Sequence, residues 1–264
     1  MPLVFGAIVP HSPVLIPDIG KKDREKAAKT IEALSILEEN LYLSKPHLII
    51  IFTPYTQAHE NTFVINAHTD FTTSFEEFGE HSLKNQYTGS PDFAAKLSYA
   101  ANVEGISTKL ISEKKLDHGS SVPLYALANH LQHTKVLPIG PCGLDPKAHL
   151  NFGNLIKEVC MESDKRVALI ASCDLSHGIT TNSPAGFREE GKQFDETIIK
   201  LLESHNTSGI ATLDPALVEK AAEDGYRPLL LLLGALKNIN YEFKHLAYEY
   251  PFGVGYLTAE FIFS

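Results

Sequence analysis

The sequence predicts an α/β fold: a single domain over residues 1–264, with a mostly parallel, mixed central sheet flanked by helices and closed by a C-terminal antiparallel hairpin. Three observations predict it. Short apolar, β-branched runs alternate with segments of helical periodicity, the pattern of a parallel sheet covered on both faces. No Gly/Ser linker, charge block or composition shift divides the chain. Two strand-like runs at the end, Tyr241 to Tyr248 and Val254 to Phe263, are joined by Pro251-Phe252-Gly253, which makes the sheet mixed.

Taken in order, Leu3 to Val9 is an apolar run stopped by Pro10. Lys21 to Leu43 carries Ala27, Ile31, Leu34, Leu37 and Leu41 at helical spacing. Leu48 to Phe52 has the continuous apolar character of a doubly covered strand. Thr62 to Ala67 is a weaker strand, and Ser90-Pro91 places a capping residue before a first-turn proline, predicting a helix from Pro91 to Val103. Strands follow at Lys109 to Ile111, Lys135 to Ile139 and Val167 to Ala171, with helices at Val122 to Gln132 and Pro146 to Met161. Helices at Pro184 to Ser204, Pro215 to Glu223 and Pro228 to Leu236 complete the pattern, the second of them N-capped by Asp214. Thr69 to Thr88 is the least regular stretch and reads as a long loop over the site.

Composition narrows the function classes. The net charge of −9, with no run of more than two Lys or Arg, argues against a nucleic-acid partner. The longest apolar run, Leu229 to Leu233 with Gly234, Ala235 and Leu236 after it, is far below the roughly 18 residues of a membrane span, so no membrane partner is expected. Three cysteines, Cys142, Cys160 and Cys173, without CxxC spacing, and an N-terminal stretch without a basic region, point to a reducing, cytoplasmic setting. Histidine is the oddity, with 12 copies against 3 Cys, 2 Met and no Trp.

In α/β sheets ligands bind beyond the carboxyl ends of the strands, and the polar residues there are rich in histidine. His11 follows the first strand, and Pro54-Tyr55 and then His59 follow the second. Asp117-His118-Gly119 follows Ile111 after a spacer, Asp174 and His177 follow Ala171, and Glu249 stands at the terminal hairpin. Two histidines and a carboxylate with open positions is the ligand set of non-haem Fe(II) sites that activate O₂. His11 and Glu249 meet only if the first and last parts of the sheet lie together. His130 and His133 read as a helix face, Cys173 as a buried, inert thiol, and the N-terminus of the helix opened by Arg227-Pro228 as a place for an anionic substrate group.

The strings VPHSPVLIP, TPYTQAHENTFVI, LDHGSSVPL, SCDLSH and YEYPFGVGYL, in that order from about residue 4 to 261, resemble the class III extradiol ring-cleavage dioxygenase superfamily. Within it the chain is most similar to the B-subunit, LigB-like branch, which includes Memo-type proteins and LigB-like domains associated with AMMECR1 and radical-SAM proteins. The resemblance implies a phosphorylase/hydrolase-like α/β fold and a metal held by His11, His59 and Glu249. It implies His177 as the acid/base beside substrate and oxygen, and His118, with Asp117, on the substrate side. Members of the branch usually carry Pro-His where this sequence has Pro54-Tyr55, so whether His59 or Tyr55 completes the site stays open.

The implied activity is extradiol cleavage of a small catecholic aromatic by O₂ at Fe(II), with zinc or another divalent metal as the alternative. Two rival functions stand beside it: a Memo-like protein binding a metal and a radical-SAM or AMMECR1-like partner, and a zinc-dependent hydrolase using a metal-bound water. A homo-oligomer is expected.

Overall fold

The computed structural model of the protein describes residues 2–55 and 59–264. Among them, eight strands form one sheet: β1 (Leu3–Val9), β2 (Leu48–Phe52), β3 (Phe63–Asn66), β6 (Thr108–Ile111), β7 (Lys135–Gly140), β8 (Val167–Ser172), β9 (Tyr241–Glu249) and β10 (Tyr256–Phe263). Their order across it is β6-β3-β7-β2-β8-β1-β10-β9. Four central strands, β7, β2, β8 and β1, are parallel. The terminal hairpin of β9 and β10 joins β1 antiparallel, as the strand-like runs around Pro251-Phe252-Gly253 predict. A second antiparallel joint was not foreseen: β3 runs against β7, and carries β6 parallel to itself.

Helices cover both faces. On one side lie α3 (Pro91–Val103), α5 (Pro146–Met161), α6 (Glu189–Glu203) and α9 (Tyr226–Ala235); on the other lie α2 (Ala28–Ser44) and α4 (His118–Leu127). The alternation of β2 explains how one strand serves both cores: Leu48, Ile50 and Phe52 join the first, and Ile49 and Ile51 the second. The short helices are α1 (Pro17–Gly20), α7 (Thr207–Ala211) and α8 (Pro215–Ala221). Asp214 caps α8 by accepting from the Ala216 N–H, as predicted.

Three predicted helices begin elsewhere. The segment from Lys21 is a 3-10 helix to Ala27, and the α-helix starts only at Ala28. The helix predicted from Val122 begins at His118, because the Asp117 carboxylate caps it through the Ser120 N–H. The helix predicted from Pro184 begins at Glu189; residues 184–188 instead wrap the loop after β8, with Ala185 N–H donating to His177 O and Arg188 N–H to Gly178 O. The irregular stretch from Thr69 to Thr88 holds a two-stranded sheet of β4 (Asp70–Thr72) and β5 (Gln86–Thr88), linked through a 3-10 turn at Glu76–Phe78. All three cysteines are buried and free. No helix among the described residues is long and apolar enough to cross a membrane.

Candidate active site

The carboxyl ends of β1, β2 and β8 lie side by side, and the residues just past them form one cluster with the start of α4 and the turn before α9. His11 is its centre and is 1% exposed. Its backbone N–H donates to Asp174 Oδ1 at 2.9 Å, which ties the end of β1 to the loop after β8. Its Nδ1 lies 3.0 Å from Ser172 Oγ, so the ring is held by one nitrogen and offers the other. That other nitrogen, Nε2, lies 3.1 Å from the Tyr55 hydroxyl and 3.2 Å from Asp224 Oδ2. Tyr55 in turn donates a short hydrogen bond to Asp224 Oδ2.

Two glycines make this convergence sterically possible. A Cβ on Gly119 would stand 2.6 Å from Thr53 Oγ1 and 2.8 Å from the Tyr55 ring. A Cβ on Gly225 would stand 2.1 Å from Cys173 Sγ and 2.5 Å from Asp174 O. Without side chains there, α4 and the Asp224 turn close onto the strand ends.

The electrostatics follow from burial of several carboxylates around one imidazole. Burial alone would lower the His11 pKa, but Asp174 and Asp224 outweigh it and raise the value to about 9. Asp174 is pushed up by burial, against the pull of His11. Burial also pushes Asp224 up, yet His11, His177 and the Tyr55 hydrogen bond hold its carboxyl below the usual range. Tyr55 is raised by burial and by the Asp224 charge. His118 is lowered by burial and by the neighbouring His11, with Glu77 and Asp117 opposing.

The catalytic residues expected from sequence meet here. His177 Nε2 is 3.8 Å from Asp224 Oδ2, and its Nδ1 is buried with no hydrogen-bond partner among the described residues. The His118 ring lies tilted against Tyr55 at 4.1 Å between centroids and stands 5.7 Å from His11. Its Nδ1 is 3.1 Å from Glu77 Oε1, and Phe78 meets the ring edge-on at 5.2 Å, so the stretch from Thr69 to Thr88 does form a wall of the site. Asp117 is occupied otherwise than expected. Its Oδ1 accepts from Ser120 N–H at 2.8 Å and Thr53 Oγ1 at 2.7 Å, which fixes the start of α4 and thereby places His118.

The expected metal set is not brought together. β1 and the terminal hairpin do lie side by side, but the Glu249 carboxylate turns toward α2, its Oε1 accepting from Thr30 N–H and Thr30 Oγ1 at 2.7 Å each. His59 Nε2 lies 3.3 Å from Lys109 Nζ on the exterior. Among the described residues no three His, Cys, Asp or Glu side chains are grouped to hold a metal. Sequence reasoning missed Asp224, because it searched the ends of strands and Asp224 stands between α8 and α9. The available signal was Glu223-Asp224-Gly225 directly before the most apolar helix, a place where acidic residues beside a glycine have little reason to sit unless a partner needs them. The neighbouring Arg227 lines a different cavity, of about 400 Å³, with His149, Glu219 and Glu223.

The residues present nevertheless fit a cation. His11 Nε2 and Asp224 Oδ2 are separated by 3.2 Å, close to the roughly 3 Å between two donors at a right angle on an ion with bonds of about 2.0–2.2 Å. Asp224 Oδ1 is buried with no hydrogen-bond partner among the described residues, an anionic oxygen left for a ligand.

The chain has relatives in both sequence and structure. A protein of Clostridium acetobutylicum is 27% identical over 94% of this chain and 55% of its own length. A MEMO1 family protein of Methanosarcina mazei is 29% identical over 47% of the chain and 44% of its own. The chain thus spans about half the length of these two relatives. A 4,5-DOPA dioxygenase extradiol of Mirabilis jalapa is 23% identical over 90% of the chain and 91% of its own length. The crystal structure of an uncharacterized protein of Escherichia coli K12 superposes with a TM-score of 0.68 at 17% identity, covering 97% of this chain and 99% of that one, which shows a common fold. Residues 6–259 match the family described as the catalytic LigB subunit of aromatic ring-opening dioxygenase, and the chain belongs to that family.

Proposed function

We propose that the protein is a metal-dependent, O₂-using oxidoreductase of the extradiol type that opens the ring of a small catecholic aromatic. The carrying observation is the His11–Asp224 pair at the strand ends, with a carboxylate oxygen that has no partner among the described residues, with His118 near His11 and His177 near Asp224. His11 and Asp224 would hold the metal, ferrous iron first and zinc or another divalent ion second. Bound iron would supply the electron transfer between catechol and O₂ that side chains cannot provide.

The remaining work falls to the chain's own residues. A cavity of about 370 Å³ beside Tyr55 and Asp117, walled by Ile111, Leu116 and Pro138 and edged by Asn66, Glu113 and Lys115, has room for a single aromatic ring. The Tyr55 ring, which lies tilted against His118 with centroids 4.1 Å apart, offers it an aromatic wall. His118, its pKa lowered by burial, is neutral at pH 7 and can receive a substrate hydroxyl proton at Nε2 while Glu77 holds Nδ1. His177, with Nδ1 unpartnered among the described residues, is placed to pass a proton through Nε2, which lies 3.8 Å from Asp224 Oδ2. Asp117 positions His118 and Ser172 orients His11.

The test is anaerobic loading of the full chain with Fe(II), followed by oxygen uptake with a panel of catechols. Uptake with formation of a ring-opened yellow product is expected; no uptake by protein shown to hold iron overturns the reading. A second reading, a Memo-like protein that binds metal and a radical-SAM or AMMECR1-like partner without ring cleavage, is favoured by Tyr55 standing where a second histidine was expected and by the Methanosarcina mazei relative. Metal retention without uptake supports it. Hydrolysis independent of O₂ by protein holding stoichiometric zinc would support the zinc hydrolase. A cytoplasmic homo-oligomer remains part of the proposal.

A further inference from the structure

We infer that Tyr55, as a phenolate, is the third protein ligand of the metal, which gives the site one imidazole and two oxygen donors. The inference rests on the His11–Asp224 metal pair proposed above and not on ring-opening activity. Three donor atoms form a closed triangle. His11 Nε2 stands 3.1 Å from the Tyr55 hydroxyl and 3.2 Å from Asp224 Oδ2, and the hydroxyl and that carboxylate oxygen are in direct contact. An ion above this triangle, with bonds of about 2.0–2.2 Å, reaches all three.

Tyr55 is held at that vertex from several sides. Its ring lies on His118 at 4.1 Å and meets His11 edge-on at 5.2 Å, and its flank fills the space that Gly119 leaves by lacking a side chain. Its backbone N–H donates to Thr53 Oγ1, which in turn donates to the Asp117 cap. His59 offers no rival, since its Nε2 faces Lys109. On binding, the metal–oxygen bond replaces the hydroxyl proton, which leaves to solvent, and Asp224 exchanges its hydrogen bond from Tyr55 for a bond to the ion. Two oxygens and one nitrogen are a harder set than two imidazoles and a carboxylate, so the site favours trivalent iron over zinc more than a second histidine would allow.

The probe is Fe(III), added as its nitrilotriacetate complex to the metal-free full chain, with the visible phenolate-to-iron charge-transfer band as the readout and bound iron measured separately. Wild type and His59→Ala should develop the band. Tyr55→Phe and Tyr55→His should lack it, and Tyr55→His should still bind iron, with its Fe(III) over Zn(II) preference reduced about tenfold or more. The inference is overturned if wild type binds iron without the band, binds no iron, or if the band survives in Tyr55→Phe. A band in protein that consumes no oxygen with catechols supports Tyr55 as ligand and removes the ring-opening reading. Oxygen uptake by iron-loaded protein without the band does the reverse.

Discussion

Two neighbouring parts of the molecule bury carboxylates against the same loop after β8, and they use them in opposite ways. On one side Asp195, fully buried in α6, has both oxygens satisfied: Oδ1 accepts from Ser176 N–H at 2.9 Å and Oδ2 from the Tyr248 hydroxyl at 2.8 Å. Glu249, on the same hairpin strand as Tyr248, likewise accepts two hydrogen bonds from Thr30 at the start of α2. On the other side Asp224 crowds one oxygen with His11, Tyr55 and His177 and leaves the second without a partner among the described residues. A buried polar atom without a partner costs about 1–3 kcal/mol, so a folded chain keeps one where something else repays it. The partner list, and not residue type or burial, separates the carboxylates that hold the hairpin from the one proposed to hold a metal.

The largest expected effect breaks this contrast at its functional end. Replacing Asp224→Ala removes one of the proposed donors, and metal affinity should fall about 100-fold or more while the fold persists. Equilibrium dialysis with Fe(II) or Zn(II) and circular dichroism check it together. Retained metal in Asp224→Ala, with loss in Glu249→Ala, would return the ligand role to Glu249.

The structural end is tested through pH. Burial raises the Asp195 pKa to about 7, above the ordinary carboxylate value, even though Ser176 and Tyr248 pull it down. Below about pH 4 the group is neutral both folded and unfolded. As pH rises toward 7 the unfolded chain ionises while the folded one keeps its proton, so stability is lost across that window and the loss is complete above the folded pKa. Each tenfold difference in proton affinity between the folded and unfolded chain is worth about 1.36 kcal/mol, which brings the total to roughly 2–4 kcal/mol. Asp195→Asn, an isostere without the charge, should therefore gain on wild type by that amount between about pH 4.5 and 7.5 in urea unfolding. A parallel pH dependence of the two proteins would show that Asp195 does not carry the proton. Glu249→Ala should cost about 1–3 kcal/mol at any of these pH values, through two lost hydrogen bonds at the helix start, with metal content unchanged.

The same contrast explains what the sequence did and did not reveal. The central strands were legible because β2 and β8 are buried on both faces and so read as unbroken apolar runs. Strand direction was not: apolar runs carry no sign of polarity, and β3 against β7 depends on a pairing made across the fold. His11, His118 and His177 were legible because each follows a strand or opens a helix beside Pro, Asp or Gly. Glu249 stood at the right height of the hairpin, but which of two nearby groups a side chain turns toward is settled by who offers donors, and Thr30 offers two. Asp224 was invisible to a search of strand ends, since it reaches the cluster from a turn between two helices.

The smallest expected effect concerns the one carboxylate that acts on the site from outside the buried set. Glu77 is 59% exposed on the turn between β4 and β5, and its Oε1 lies 3.1 Å from His118 Nδ1. Burial and the His11 charge lower the His118 pKa, and Glu77 partly offsets them. Glu77→Gln keeps an oxygen for the hydrogen bond and removes the charge, so the His118 titration, followed by NMR in metal-free protein, should move further down. A partly exposed pair is worth at most about 1 kcal/mol, so the move is below roughly one pH unit and shrinks in high salt. Asp224→Asn should act less directly on His118, because its contacts run to His11, Tyr55 and His177. An upward move in Glu77→Gln, or none, would mean that the wall formed by Glu77 and Phe78 does not stay closed over His118 in solution, and the site would then be open to water on that side.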